Sequence, residues 1–455
     1  MNHLVGARQP PSGRSRWQTA AYLGGIGIVA WILLVSIQRG RALERMMPQI
    51  KLGAAPLVGR DPVDGWDWRF GAGLVGATAL AVALVAAVLA AWTVSLRLRT
   101  LVISCSVGAT AFALCLALTD GFDGVLNGAE HRTEYLANLP NTPPAGEFVR
   151  SFVEDIDLYS VHVRGHPPGF VLVVKFIDAI GLHGPWPVAM LSVMSVAVVV
   201  AATLTTVWAV AGADWTRRSA PFLVVSPYAL WQVTSADAFY CAVSALGVML
   251  VALGLRRRDW TAMAAGLGAR VLLGSLLYLT YLGAIFVMMV APLTVASTVR
   301  RRPGTWPTVA GVAAGASAVI GGFAAAGFWW VDGARRTRTE YWDGTAQFRD
   351  WGYFKYGNLA AAIIAIGPAA IVGLMRLRDR RVWLISGGAL AALAASHLSQ
   401  YTRAEVERIW LLFFPWLVIA AGALAVRCRP RAAAGWVAVQ ATSAVVLQAA
   451  LVSKW

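Results

Sequence analysis

The densest run of groups able to move a proton lies between residues 120 and 166. It opens with Asp120-Gly-Phe-Asp123 and continues through Glu130, His131, Arg132, Glu134 and Tyr135. After a proline-rich turn at Pro140–Pro144 it closes with Glu154, Asp155, Asp157, His162, Arg164 and His166-Pro167-Pro168-Gly169. Eight residues of this stretch are acidic and three are basic. A carboxylate at the end of an apolar run can serve as a general base, because restricted water raises its affinity for a proton. Paired carboxylates can instead hold a divalent ion through oxygen ligands, so Mg or Mn is the one cofactor this stretch admits. Most carboxylates in such a loop simply face water. Asp120, at the very edge of an apolar run, departs most from that pattern, with Asp123 next to it.

Other polar residues have the chemistry to hold an anion. His166 stands just before a proline-initiated helix, where it either caps the helix or, with the first amides, contacts a phosphate. Arg408, at the start of an apolar run, either binds a phosphate or pairs with Glu405 one turn away. Asp237 lies at the end of a span and faces the same side. Residues 331–357 interleave Arg335, Arg336, Arg338, Arg349 and Lys355 with Tyr341, Trp342, Trp351, Tyr353 and Tyr356. They read either as an interfacial aromatic belt with snorkelling bases or as a lipid-phosphate site.

The elements that must position these groups are membrane helices. Of 455 residues, 58% are hydrophobic and only 14% charged, and the mean hydropathy is +0.61. A soluble domain carries about 25% charged residues. Continuous apolar runs long enough to cross a hydrocarbon core of roughly 30 Å recur along the chain, which selects helices over an alternating barrel. Thirteen spans are expected, at 21–38, 71–94, 100–119, 186–211, 219–234, 238–255, 262–279, 282–299, 305–330, 358–375, 382–398, 410–426 and 433–451. They form one transmembrane domain, 1–455, with 1–20 as a basic cytoplasmic tail.

Orientation follows from the arginines. The clusters at 8–16, 97–99, 217–218, 256–258, 300–302, 376–381 and 427–431 alternate with acidic loops, which marks them as cytoplasmic. They hold 20 of the 39 basic residues, and of the 23 acidic ones only Asp214, Asp259 and Asp379 accompany them. Nucleic-acid binding is excluded as the meaning of the +16 charge, because the basic residues form short loops rather than one stripe. The acidic loop 120–166 then faces outward across the plasma membrane, and the bilayer is the first partner. Residues 167–182 carry Lys175 and Asp178 at their middle, so they are read as an amphipathic helix in the outer interface rather than as a span. Of the four cysteines, Cys105, Cys115 and Cys241 lie in apolar runs and Cys428 in a basic loop, with no metal spacing.

Taken in order, these features resemble the GT-C superfamily of membrane glycosyltransferases. The resemblance rests on an acidic outer loop begun by Asp120, on His166-Pro167-Pro168 opening an interfacial helix, and on a span ending in Arg217-Arg218. Ser226-Pro227, Asp237 and the stretch Leu279–Gly283 continue it over roughly 101–300. The segment Glu405–Trp410 is similar to actinobacterial integral membrane proteins of that kind. Such a resemblance implies transfer of a sugar, mannose or arabinofuranose, from a polyprenyl-phosphate donor to a glycan or glycolipid acceptor on the outer face. It implies an aspartate base, carried to Asp120 and then Asp123, and phosphate contacts at His166 and Arg408, with Arg164 and Arg338 further candidates. Two spans precede the acidic loop beyond the usual pattern, and its first carboxylates are spaced Asp-x-x-Asp; the literal Asp-x-Asp is Asp155–Asp157. A lipid or glycan transporter and a non-catalytic envelope scaffold are the alternatives.

Overall fold

A computed structural model describes residues 13–47, 65–66, 68–257, 259–300, 304–425 and 430–452. The far N-terminal tail, most of 39–70, Arg258, Arg301, Arg302, Arg427, Cys428 and Arg429 lie outside the described residues. Among the described residues the fold is helical apart from one antiparallel pair, Gly65–Trp66 with Leu451–Val452. Among the described residues nine helices are long and apolar enough to cross a membrane, or up to eleven if two bent pairs each count as one span. Large apolar side chains such as Val75, Ile103, Val107 and Met194 face outward along these helices. On a membrane helix that is the lipid-facing side.

Each expected span coincides with helix, but not every one is a straight crossing. Residues 219–234 form the second half of helix Ala213–Val224 and a 3-10 turn, Pro227–Trp231, nearly all buried. Helix Gly283–Val299 has 17 residues. The expected 358–375 is Trp351–Ile366 plus Pro368–Arg376, bent by 94°, and 410–426 is Val406–Leu412 plus Phe414–Leu424, bent by 77°.

Both bends have causes in the residues. Gly367 has φ +80° and is followed by Pro368, which lacks an N–H to continue the helix. The break leaves the Ile366 carbonyl and the Ala369 amide without helical partners, a heavy cost in lipid. Buried Gln440 satisfies both: its Nε2 donates to the Ile366 oxygen at 2.7 Å and its Oε1 accepts from the Ala369 N–H at 2.9 Å. In the second pair Pro415 enters the first turn of the new helix, where a missing N–H does no harm.

Among the described residues, arginines of the clusters gather at one end of the bundle. Arg217 donates to the carbonyls of Thr93 and Leu96, Arg218 to those of Gly422 and Ala425, and Arg256 to that of Ala209. Trp215 Nε1 donates to Asp379. The opposite end is acidic. There 120–166 is not an open loop but a string of short helices, including Asp123–Glu130, Ala145–Ser151 and Val161–Arg164. Helix Trp330–Asp343 lies against them through Arg336–Asp157 at 2.6 Å and Arg164–Glu340 at 3.4 Å. Thus most of the expected 331–357 loop is helical, since helix Trp330–Asp343 covers its first half and the following helix already starts at Trp351.

The apolar segment after His166 forms helix Gly169–Ala179, whose 11 residues span too short a distance to cross a bilayer. Phe170, Val171 and Val174 pack inward while Phe176 faces out. Leu182, the last residue of the expected 167–182 helix, is 52% exposed because the helix has ended before it.

Candidate functional site

Asp120 ends the 3-10 turn Leu118–Asp120 that terminates the span from Leu98, and Gly121, with φ +71°, swings the chain into helix Asp123–Glu130. Two glycines let that helix lie flat on its neighbours. A Cβ at Gly124 would collide with the Ala117 carbonyl, and one at Gly128 with the Thr234 carbonyl. The same helix buries Val125 and Ala129 and turns Asp123, Asn127 and Glu130, at i, i+4 and i+7, to one stripe.

That stripe lines a cavity of about 370 Å³ with Arg69, Ala117, Asp120, Leu230, Thr234, Gln448 and Leu451. Arg69 pairs with Asp120 and donates to the carbonyls of Gln448, at 3.1 Å, and Leu451. The C-terminal strand pair therefore helps to form the cavity wall. Thr234 is buried, and among the described residues its hydroxyl has no hydrogen-bond partner. Among the described residues Asp123 and Glu130 form no ion pair. The cavity thus offers two uncompensated carboxylates, the Asp120–Arg69 pair, neutral donors and acceptors, and a small apolar face.

A second polar centre lies on the far side of Thr234–Asp237 and is closed. Arg408 Nη1 donates to Asp237 at 2.8 Å and its Nη2 to Glu405 at 2.9 Å and to His162 Nε2 at 3.1 Å. With Nε2 accepting, the His162 ring proton is on Nδ1, which lies 2.6 Å from Glu134. Arg349 binds the other oxygen of Glu405 at 2.8 Å. Ala404 and Glu405 both have left-handed backbone, φ +76° and +60°, rare for residues with a Cβ. Asn358 holds this turn by donating to the Thr402 carbonyl and accepting from the Ala404 N–H.

His166 sits beside this centre. Its Nδ1 donates to the His162 carbonyl at 2.9 Å, and the rings of Tyr135 and Tyr240 flank it. It does not cap helix Gly169–Ala179: Pro168 holds the cap position, and Gly169 is pressed against the Tyr278 carbonyl. Burial lowers the imidazole's pKa below its ordinary value; Asp237 opposes that shift and Arg408 reinforces it.

The seven expected site residues therefore fall into three places. Asp120 and Asp123 share the cavity. Asp237, Arg408 and His166 belong to the closed centre, where Arg408 takes both the expected Glu405 pairing and a further one with Asp237. Arg164 pairs with Glu340, and Arg338 lies over the Tyr401 ring at 5.6 Å. Asp157, half of the literal Asp-x-Asp, is engaged by Arg336. Among the described residues no group of three or more His, Cys, Asp or Glu side chains could hold a metal ion.

Local sequence does not mark Arg69, Asn127, Thr234 or Gln448 as site residues. Arg69 and Gln448 are distant from Asp120 in sequence, and nothing local signals their convergence. The i, i+4, i+7 spacing of Asp123, Asn127 and Glu130 was a legible signal of one helical face.

No family model and no curated protein matches the chain. Architecture defines the class: a helical, multi-pass membrane protein with a polar cavity at its acidic end.

Proposed function

We propose that the protein is a membrane glycosyltransferase of GT-C type, acting on the outer face of the plasma membrane. It moves a sugar from a polyprenyl-phosphate donor to a hydroxyl of an envelope glycan or glycolipid. The observation that carries this reading is the shared cavity of Asp120 and Asp123 at the rim of the helical bundle, opposite the arginine clusters.

In this reaction the acceptor hydroxyl enters the cavity and gives its proton to Asp120. Its oxygen attacks the anomeric carbon, the bond from that carbon to the phosphate oxygen breaks, and the polyprenyl phosphate leaves with the electron pair. A positioned base of this kind contributes about 10²–10⁴-fold. Arg69 orients Asp120 and supplies a positive charge in the cavity wall. The Arg408 centre, whose charges are matched within the protein, holds Asp237 and the loop 131–166 in place around the cavity.

Membranes containing the protein, given polyprenyl-phosphate mannose or arabinofuranose and envelope acceptors, are expected to transfer the sugar, and Asp120→Asn to stop transfer at unchanged expression. Full activity in that variant would sink the assignment of the base.

A transporter is the second reading, favoured by the two sharply bent helix pairs, since broken helices are where transporters form substrate sites. Proteoliposomes separate the two: flipping of a labelled polyprenyl-linked sugar without any transfer product would favour transport.

A further inference from the structure

We propose that the cavity selects a hydroxyl-rich ring bearing an ammonium group, an amino-sugar unit, over neutral and anionic rings of the same size. This rests on the reading of the cavity as the acceptor site and deepens it by naming the acceptor's charge.

Four observations carry it. Asp120 has its counter-charge in Arg69, whereas Asp123 and Glu130, two helical turns apart on one face, have no ion-pair partner among the described residues. The cavity therefore has two negative charges left for a ligand to match. Second, the buried Thr234 hydroxyl in its wall has no hydrogen-bond partner among the described residues. Burying such a group is unfavourable unless something bonds to it, and a ring hydroxyl can do so. Third, the Gln448 side chain, buried in the same wall, has no hydrogen-bond partner among the described residues, while its backbone carbonyl is taken by Arg69. A primary amide both donates and accepts, which suits vicinal hydroxyls. Fourth, Leu230, Leu451 and Ala117 give the wall an apolar patch for the C–H face of a ring, and about 370 Å³ lies at the small end of ligand sites.

An anion meets the opposite situation. The cavity's cation, Arg69, is already held by Asp120 and two carbonyls, so a carboxylate or phosphate on the ring would face two unmatched carboxylates. The leaving phosphate of the donor accordingly stays outside this cavity, and only the acceptor's ring enters it.

The test uses the full chain in nanodiscs at neutral pH, titrated with glucosamine, glucose and glucuronate by ligand-observed NMR. An ion pair to an exposed carboxylate is worth up to about fivefold in affinity. Glucosamine is expected to bind several-fold tighter than glucose, and glucuronate weakest of the three. Glu130→Gln and Asp123→Asn should each shrink the glucosamine-to-glucose ratio, as should 1 M salt, while Thr234→Val should weaken glucosamine and glucose alike, by about fivefold. Glucuronate binding as tightly as glucosamine, a ratio indifferent to both carboxylate variants, or no binding by any of the three would overturn the proposal. Because the readout is binding, it fails separately from the transferase reading. Charge-ordered binding without transfer would remove only the enzyme assignment, and transfer to anionic acceptors would remove only the charge selection.

Discussion

Asp120 and Asp237 both sit at a span end on the acidic side of the bundle, and each pairs with one arginine. The Asp120–Arg69 pair is open, with side chains 35% and 23% exposed; the Asp237–Arg408 pair is closed, at 2% and 5%. Burial is what separates their roles. A closed pair must be matched completely, because an unpaired charge there is far more costly than in water. Arg408 accordingly meets Asp237, Glu405 and His162 at once. The open pair leaves its neighbours Asp123 and Glu130 without an ion pair among the described residues, since water can solvate them there. Similar side chains thus make a closed, paired centre on one side of Thr234–Asp237 and an open polar cavity on the other.

The contrast breaks most visibly at Arg408. Arg408→Met leaves Asp237 buried without its cation and Glu405 with Arg349 alone, at a cost of about 3–5 kcal/mol. The expected result is loss of a monodisperse peak and of a cooperative melt in detergent; a normal melt would show the centre to be dispensable. Asp120→Asn is the converse case. Transfer should fall about 10²–10⁴-fold with the melting temperature nearly unchanged, and a large drop in stability would make Asp120 structural instead.

Gly128→Ala tests the seam between the two regions. Its methyl group would collide with the Thr234 carbonyl, and the overpacking should cost about 1–3 kcal/mol. Thermal denaturation measures this, and a neutral result would mean the cavity helix is not pressed on that turn.

A smaller effect is expected from pH. Burial holds His166 below its ordinary pKa of 6.5, so the unfolded chain takes up its proton first as pH falls. The stability this neutral ring contributes is complete above about pH 7 and declines as pH drops through about 6.5. His166→Phe should flatten that part of a stability–pH curve; an unchanged curve would remove His166 from the closed centre. At the exposed extreme, Arg338→Gln removes only the contact with Tyr401 and should change stability by less than about 1 kcal/mol.

Much of this was legible in the residues alone. Apolar runs located the long membrane-type helices, nine to eleven among the described residues against the thirteen spans expected, because a span in lipid needs length and continuous hydrophobicity, both local properties. The alternating arginines separated the two ends, and Lys175 with Asp178 marked Gly169–Ala179 as something other than a span. The bends at Gly367–Pro368 and Phe413–Pro415 were present as glycine and proline, but their angles depend on Gln440 and on neighbouring helices.

Which charge meets which was decided only by tertiary structure. Arg69 reaches Asp120 across 51 positions and Arg408 reaches Asp237 across 171, and no local pattern encodes such pairings. Composition and order therefore determined a multi-pass helical protein with an acidic end. Packing decided that Asp120 and Asp123 open onto a cavity while Asp237, His166 and Arg408 close into a lock, because burial and pairing are properties of distant segments brought together.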